Sequence, residues 1–136
     1  MSLYSDKLNI LKKEISIIRK KKKKFNKNQK IMIDFINGIT DKAIFKINTL
    51  TIELGHGDDL KGFKHIILKH YKANDLEAMD ILNIIDIYTK GIKLHNVGKG
   101  NPYLSAFMKI KDQKEHRLII DENENPNLII SSYRKT

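Results

Sequence analysis

Tyr103-Leu104-Ser105-Ala106-Phe107-Met108-Lys109-Ile110, His116-Arg117-Leu118-Ile119-Ile120-Asp121 and Leu128-Ile129-Ile130-Ser131-Ser132-Tyr133 are three apolar-rich runs near the end of the chain. Polar segments at 111–115 and 122–127 separate them. Runs of this length, bounded by turn residues, predict strands, and the short connections make them an antiparallel meander. Upstream, the pattern changes at Gly91. Asn74-Asp75-Leu76-Glu77 has the spacing of a capping box. After it, Met79, Leu82, Ile85 and Tyr88 recur at helical spacing. Helices followed by an antiparallel meander predict an α+β fold.

Further towards the start, residues 43–47 and 50–54 read as two short strands joined across Asn48-Thr49. Asn37-Gly38 is a turn signal after an apolar patch at 31–36. Ser5 or Asp6 would cap a first helix whose apolar seam is Leu8, Leu11, Ile15 and Ile18. That seam suits helix–helix packing or a homo-oligomer formed through the N-terminal helix.

The chain has 136 residues, five histidines and no cysteine, which excludes disulfides and thiolate metal sites. No apolar run approaches the roughly 20 residues needed to cross a membrane, so no membrane partner is expected. The net charge is +10. It is unevenly spread: residues 1–30 carry eleven Lys or Arg against two acidic residues, whereas residues 31–136 carry fifteen against fourteen. The predicted organisation is therefore a basic helical arm, 1–30, and a globular domain, 31–136. An unbroken lysine run at 20–24 would hold phosphates by releasing their counterions, or be a solvated, frayed helix end.

Gly62-Phe63-Lys64-His65-Ile66-Ile67-Leu68-Lys69-His70 is where chemistry is expected. On a 3.6-residue period, Phe63, Ile66, Ile67 and His70 share one face, while Lys61, His65, Lys69 and Lys72 line the other, with Lys64 nearby. Histidine is the side chain that titrates near neutral pH. A proton-transfer group among ammonium groups suits an enzyme that cuts an anionic polymer. His65 is the first candidate. His70 points towards the core on this wheel, about 140° away, so the two rings are not expected to meet one substrate atom. They also lack the i, i+4 spacing of a helical metal pair. His56, His95 and His116 are scattered and assigned to no metal. Strand alternation places Ser131 and Tyr133 on one face with Ile129, as a pair of hydroxyls that can contact a phosphate. Lys109 and Arg117, on adjacent strands, could neutralise the charge of a phosphorane. The glycines around Lys99 do not have phosphate-loop spacing.

The Gly-Phe-Lys-His-Ile-x-x-x-x-His helix, a second helix ending in Gly, a small antiparallel sheet and a last strand with Ser-x-Tyr resemble the barnase–EndoU–colicin–RelE-like (BECR) nucleases, in their phage and polymorphic-toxin branches. The matching residues are Gly62, Phe63, Lys64, His65, Ile66, His70, Ser131 and Tyr133, and the likeness covers roughly residues 43–134. The resemblance implies an endoribonuclease toxin domain that needs no metal or cofactor. In such enzymes the ribose 2′-hydroxyl attacks the adjacent phosphate and leaves a 2′,3′-cyclic phosphate. It implies catalytic roles for His65, His70, Ser131 and Tyr133, and substrate contacts from Lys61, Lys64, Lys69, Lys109 and Arg117. The second proton-transfer group stays open between His70, Lys109, Arg117, His56 and Tyr133. RNA, tRNA included, is the implied substrate, and a cognate immunity protein the implied partner. The implied location is the cytoplasm of the producing or target bacterial cell. The alternative is a non-catalytic nucleic-acid-binding or phage accessory protein that uses the basic arm.

Overall fold

A computed structural model describes residues 2–21, 24–72, 75–94, 103–123 and 125–135. The helices are α1 (Leu3–Lys21), α2 (Lys27–Ile36), α3 (Phe63–His70), α4 (Ala78–Leu82) and α5 (Asp86–Lys90). The strands are β1 (Ala43–Ile47), β2 (Leu50–Leu54), β3 (Ile92–Leu94), β4 (Leu104–Lys111), β5 (Lys114–Asp121) and β6 (Asn127–Lys135). The fold is α+β: N-terminal helices precede an open six-stranded sheet in the order β1-β2-β6-β5-β4-β3. Every pairing is antiparallel except β2 with β6, a short parallel contact at Ile52–Asn127 and Glu53–Leu128. The meander thus extends to β3 on one side and to the β1–β2 hairpin on the other. The hairpin has the predicted limits, with Asn48 at positive φ in its tight turn.

The first helix is not an appendage. Leu11 and Ile15 are fully buried in the same cluster as Phe35, Phe45, Phe63 and Leu118, with Leu8 and Ile18 packed against it. The seam expected to serve packing or dimerisation is spent inside the chain, and residue 30 marks no packing boundary. Polar contacts tie α1 down as well. Lys7 Nζ donates to the carbonyls of Leu68, at 2.9 Å, and Tyr71, at 3.3 Å, near the end of α3. A cation there answers carbonyls that the helix leaves unpaired. Glu14 accepts from the Tyr71 hydroxyl and from Lys72.

The apolar patch at 31–36 belongs to α2, which starts at a reciprocal capping box between Asn26 and Gln29. Between Asp75 and Gly91 the expected single helix is two short ones, α4 and α5, with turns between them. The box that starts α4 is Glu77 with Asp80. Residue 74, read as a cap, lies outside the described residues, as do His95 and the glycines around Lys99.

Two local features position the candidate site. Gly57 and Gly62 both have positive φ, and a Cβ at Gly62 would stand 2.9 Å from the Gly57 Cα. The loop 55–62 therefore folds closely on itself. Its carbonyls at Gly55 and His56 accept from the N–H groups of Phe63 and Lys64, the open donors of the first turn of α3. Gly62 N in turn donates to Ile130 O of β6, 2.8 Å away. Beyond its short pairing with β2, β6 is thus bordered by the start of α3, where Gly62 satisfies the Ile130 carbonyl.

The second feature is a register shift. Ile120 pairs with Ile129, but Ile119 pairs with Ser131. One extra residue in β6 reverses the alternation there. Ile129 stays with the core, whereas Ser131 and Tyr133 pair with Ile119 and Arg117 on the other face. The expected grouping of Ile129 with Ser131 and Tyr133 fails because period-2 counting cannot see a bulge.

Candidate active site

The two histidines of α3 meet. Their ring centroids are 5.2 Å apart, in an edge-to-face arrangement. The expectation that 140° of helix would separate them is corrected. Each imidazole reaches well beyond its Cβ, and His70 is the last residue of the helix, free to lean along its edge. His70 is not a core residue either: its side chain is 22% exposed, and its ring lies 5.3 Å from that of Tyr133.

Both rings are oriented through Nδ1. His65 Nδ1 lies 2.9 Å from the Asp59 carbonyl, and His70 Nδ1 lies 2.9 Å from Asp75 Oδ2. A carbonyl or carboxylate oxygen can only accept, so each Nδ1 carries the hydrogen. In the neutral ring, Nε2 is then the basic nitrogen. Asp75 does two jobs, since its Oδ1 accepts from the Arg134 backbone N–H at 2.6 Å. It links the end of α3 to β6 and holds His70 beside Tyr133.

The sheet supplies the rest. Arg117 and Tyr133 are direct cross-strand partners. The Arg117 guanidinium is held in its charged form chiefly by its hydrogen-bonded ion pair with Glu115, with a further contribution from the Tyr133 hydroxyl, against a cost of desolvation. Ser131 lies two residues before Tyr133 on this face and is nearly buried, at 8% exposure. His65, His70, Tyr133 and Arg117 therefore form one partly exposed group, with Ser131 on its sheet face.

The lysines divide. Lys61, in the loop before α3, and Lys69, one turn after His65, are exposed. Lys64 turns away, to Asp59 at 3.3 Å and to the face of the Tyr4 ring. Lys72 is committed to Glu14 and Glu77. Lys109 does not join Arg117. It pairs with His116 while Met108 pairs with Arg117, so adjacent residues of β4 serve opposite faces. Lys109 instead lines a cavity of about 60 Å³ with Asp80, Asp86, Lys111 and His116. His56 is exposed and packs its ring on Phe35, 4.9 Å away.

Sequence reasoning missed Asp75, Glu115 and the Asp59 carbonyl. Asp75 lay hidden inside a segment read as a helix cap. Its usable signal was an acidic residue just beyond a helix that ends in histidine. Among the described residues, no three metal-ligating side chains converge, and no helix is long and apolar enough to cross a membrane. No protein-family model, curated protein or solved structure matches the chain.

Proposed function

We propose that the protein is a metal-independent endoribonuclease, with the His65–His70 pair as its proton-transfer apparatus. The observation that carries this is the meeting of two imidazoles, each fixed through Nδ1, beside a tyrosine whose cross-strand partner is a charged arginine. Cleavage of RNA through its own 2′-hydroxyl needs these groups and little else. One imidazole takes the 2′-hydroxyl proton as the 2′-oxygen bonds to phosphorus. The other, as imidazolium, gives a proton to the departing 5′-oxygen as its bond to phosphorus breaks. Arg117 balances the negative charge that grows on the phosphorane oxygens. Tyr133 and Ser131 offer hydroxyls to the phosphate or to a base. The nucleophile is part of the substrate, so positioning and proton transfer supply most of the acceleration.

The resemblance to the BECR nucleases supports the same assignment from another direction, since its Ser-x-Tyr and His-x-x-x-x-His residues are the ones that gather here. A bacterial toxin with a cognate immunity protein belongs to that resemblance. The test is a pair of RNA oligonucleotides incubated with the purified protein in EDTA, one bearing a 2′-deoxy substitution at the scissile nucleotide. The unmodified RNA should be cut and the substituted one resist. Equal cleavage of both would remove the 2′-hydroxyl mechanism.

A further inference from the structure

A second charged feature lies away from the histidines. Lys12, Ile15, Ser16, Arg19 and Lys20 fall on one stripe of α1, and with Asn37 beyond α2 they line a groove of about 400 Å³. Among the described residues, no carboxylate lines it. Ile15, fully buried, forms its floor. Lys12, Arg19 and Lys20 pair with no carboxylate among the described residues, unlike Lys64, Lys72, Lys93 and Lys111, which do. Three cations that share a concave surface, unpaired with any carboxylate among the described residues, create a local positive potential in a chain whose net charge is already +10.

We infer that this groove binds the phosphate backbone of a single nucleic-acid strand. From Lys12 to Lys20 the helix rises about 12 Å. A stacked strand presents a phosphate about every 3.4 Å, so the groove spans about three of them. Ser16 and Asn37 add neutral hydrogen-bonding groups to the ammonium and guanidinium charges. An anionic membrane is the competing polyanion, and the helix itself argues against it. The exposed apolar residues Leu3, Ile10 and Ile17 lie roughly 135° round α1 from the groove. A flat membrane would need the basic and apolar residues in one plane. A strand needs only the groove. The inference goes beyond the nuclease reading and does not depend on it, because backbone binding requires no cleavage.

The experiment uses the full chain and a fluorescein-labelled single-stranded 2′-deoxyoligonucleotide of about twelve nucleotides, which the proposed chemistry cannot cut. Affinity is measured at several NaCl concentrations for the wild type and for the triple variant Lys12→Ala, Arg19→Ala, Lys20→Ala. Three lost phosphate contacts should weaken binding at low salt at least tenfold. They should also make the slope of log affinity against log salt shallower by about 2. A control triple variant, Lys27→Ala, Lys30→Ala, Lys46→Ala, removes the same charge elsewhere and should keep the wild-type slope. An unchanged slope in the groove variant, or an equal change in both variants, would overturn the inference. So would loss of binding to phosphatidylserine vesicles with oligonucleotide binding intact, which would make the groove a membrane contact.

Discussion

The two faces of β5 carry the same chemical vocabulary and put it to different uses. On the packed face, His116 is 6% exposed and stands 3.9 Å from Asp80, with Lys111 on the same carboxylate. Burial pushes its imidazole below the ordinary range, partly offset by the nearby Asp80 charge. On the other face, Tyr133 stands beside His70, with Arg117 as its cross-strand partner, and His70 has its carboxylate partner at hydrogen-bonding distance and a partly exposed ring. Both faces hold a histidine, an aspartate and cations. Only one offers a second histidine and access. The cavity at His116, about 60 Å³, is far below the several hundred Å³ of ordinary ligand sites. The difference teaches that residue type is a poor guide to chemistry. What separates the two is whether a ring nitrogen is free and reachable.

The sharpest way to break this comparison is to remove each histidine in turn. His65→Ala and His70→Ala should each lower RNA cleavage by about 100-fold or more, the usual worth of a general acid or base. His116→Ala should leave the cleavage rate within a few-fold of the wild type. It should instead lower unfolding free energy by about 1–3 kcal/mol, because a packed side chain is lost. Equal rate losses for His116→Ala and His65→Ala would erase the distinction between the faces.

Arg117 is the next test. Arg117→Ala should cost about 100-fold in the rate at saturating RNA, the scale of one preorganised charge-stabilising donor. Lys109→Ala, across the sheet, should cost little. A larger loss for Lys109→Ala than for Arg117→Ala would contradict the placement of the charge-stabilising group on the Tyr133 face.

Asp75 sharpens the comparison by separating orientation from chemistry. Asp75→Asn keeps an acceptor oxygen for the His70 N–H but loses the charge. It should lower the rate about tenfold, less than His70→Ala does. Asp75→Ala also strands the Arg134 N–H and should cost about 1–3 kcal/mol of stability. Chemical denaturation and single-turnover kinetics read the two effects apart. Identical rates for Asp75→Ala and the wild type would leave His70 oriented by something else.

Much of this fold was legible. The β1–β2 hairpin and the three long strands announce themselves by apolar runs broken at polar turns, and Gly91 ends a helix as a glycine should. What stayed hidden depends on tertiary context. β3 has three residues, too few to show a period, and exists because β4 offers it a ladder. The parallel β2–β6 contact joins residues far apart in sequence. The bulge opposite Ile119 and Ile120 changes which side chains share a face without altering composition. For the candidate site, His65, His70, Ser131, Tyr133 and Arg117 were all nameable from sequence. Their assembly was not, because a helical wheel records where Cβ atoms point rather than where imidazoles end. The basic N-terminus misled in a related way: its many lysines concealed how deeply Leu11 and Ile15 of α1 are buried.

The smallest expected effect is a pH dependence of stability. Because burial lowers the folded-state value of His116, the unfolded chain takes up its proton first as the pH falls. The stability this group supports is complete above its unfolded value of about 6.5. It is lost as the pH drops from there through the lowered folded value. Denaturation midpoints between pH 7.5 and 5 should fall for the wild type and fall less for a His116→Gln variant. Parallel profiles would mean that other groups carry the acid sensitivity.

The most direct test of the central claim is the chemistry of the RNA ends formed in EDTA by the wild type and by a His65→Ala, His70→Ala double variant. The wild type is predicted to leave 2′,3′-cyclic phosphate and 5′-hydroxyl ends, and the double variant to leave the RNA intact. Products with 5′-phosphates, or cyclic-phosphate ends still formed at the wild-type rate by the double variant, would contradict it.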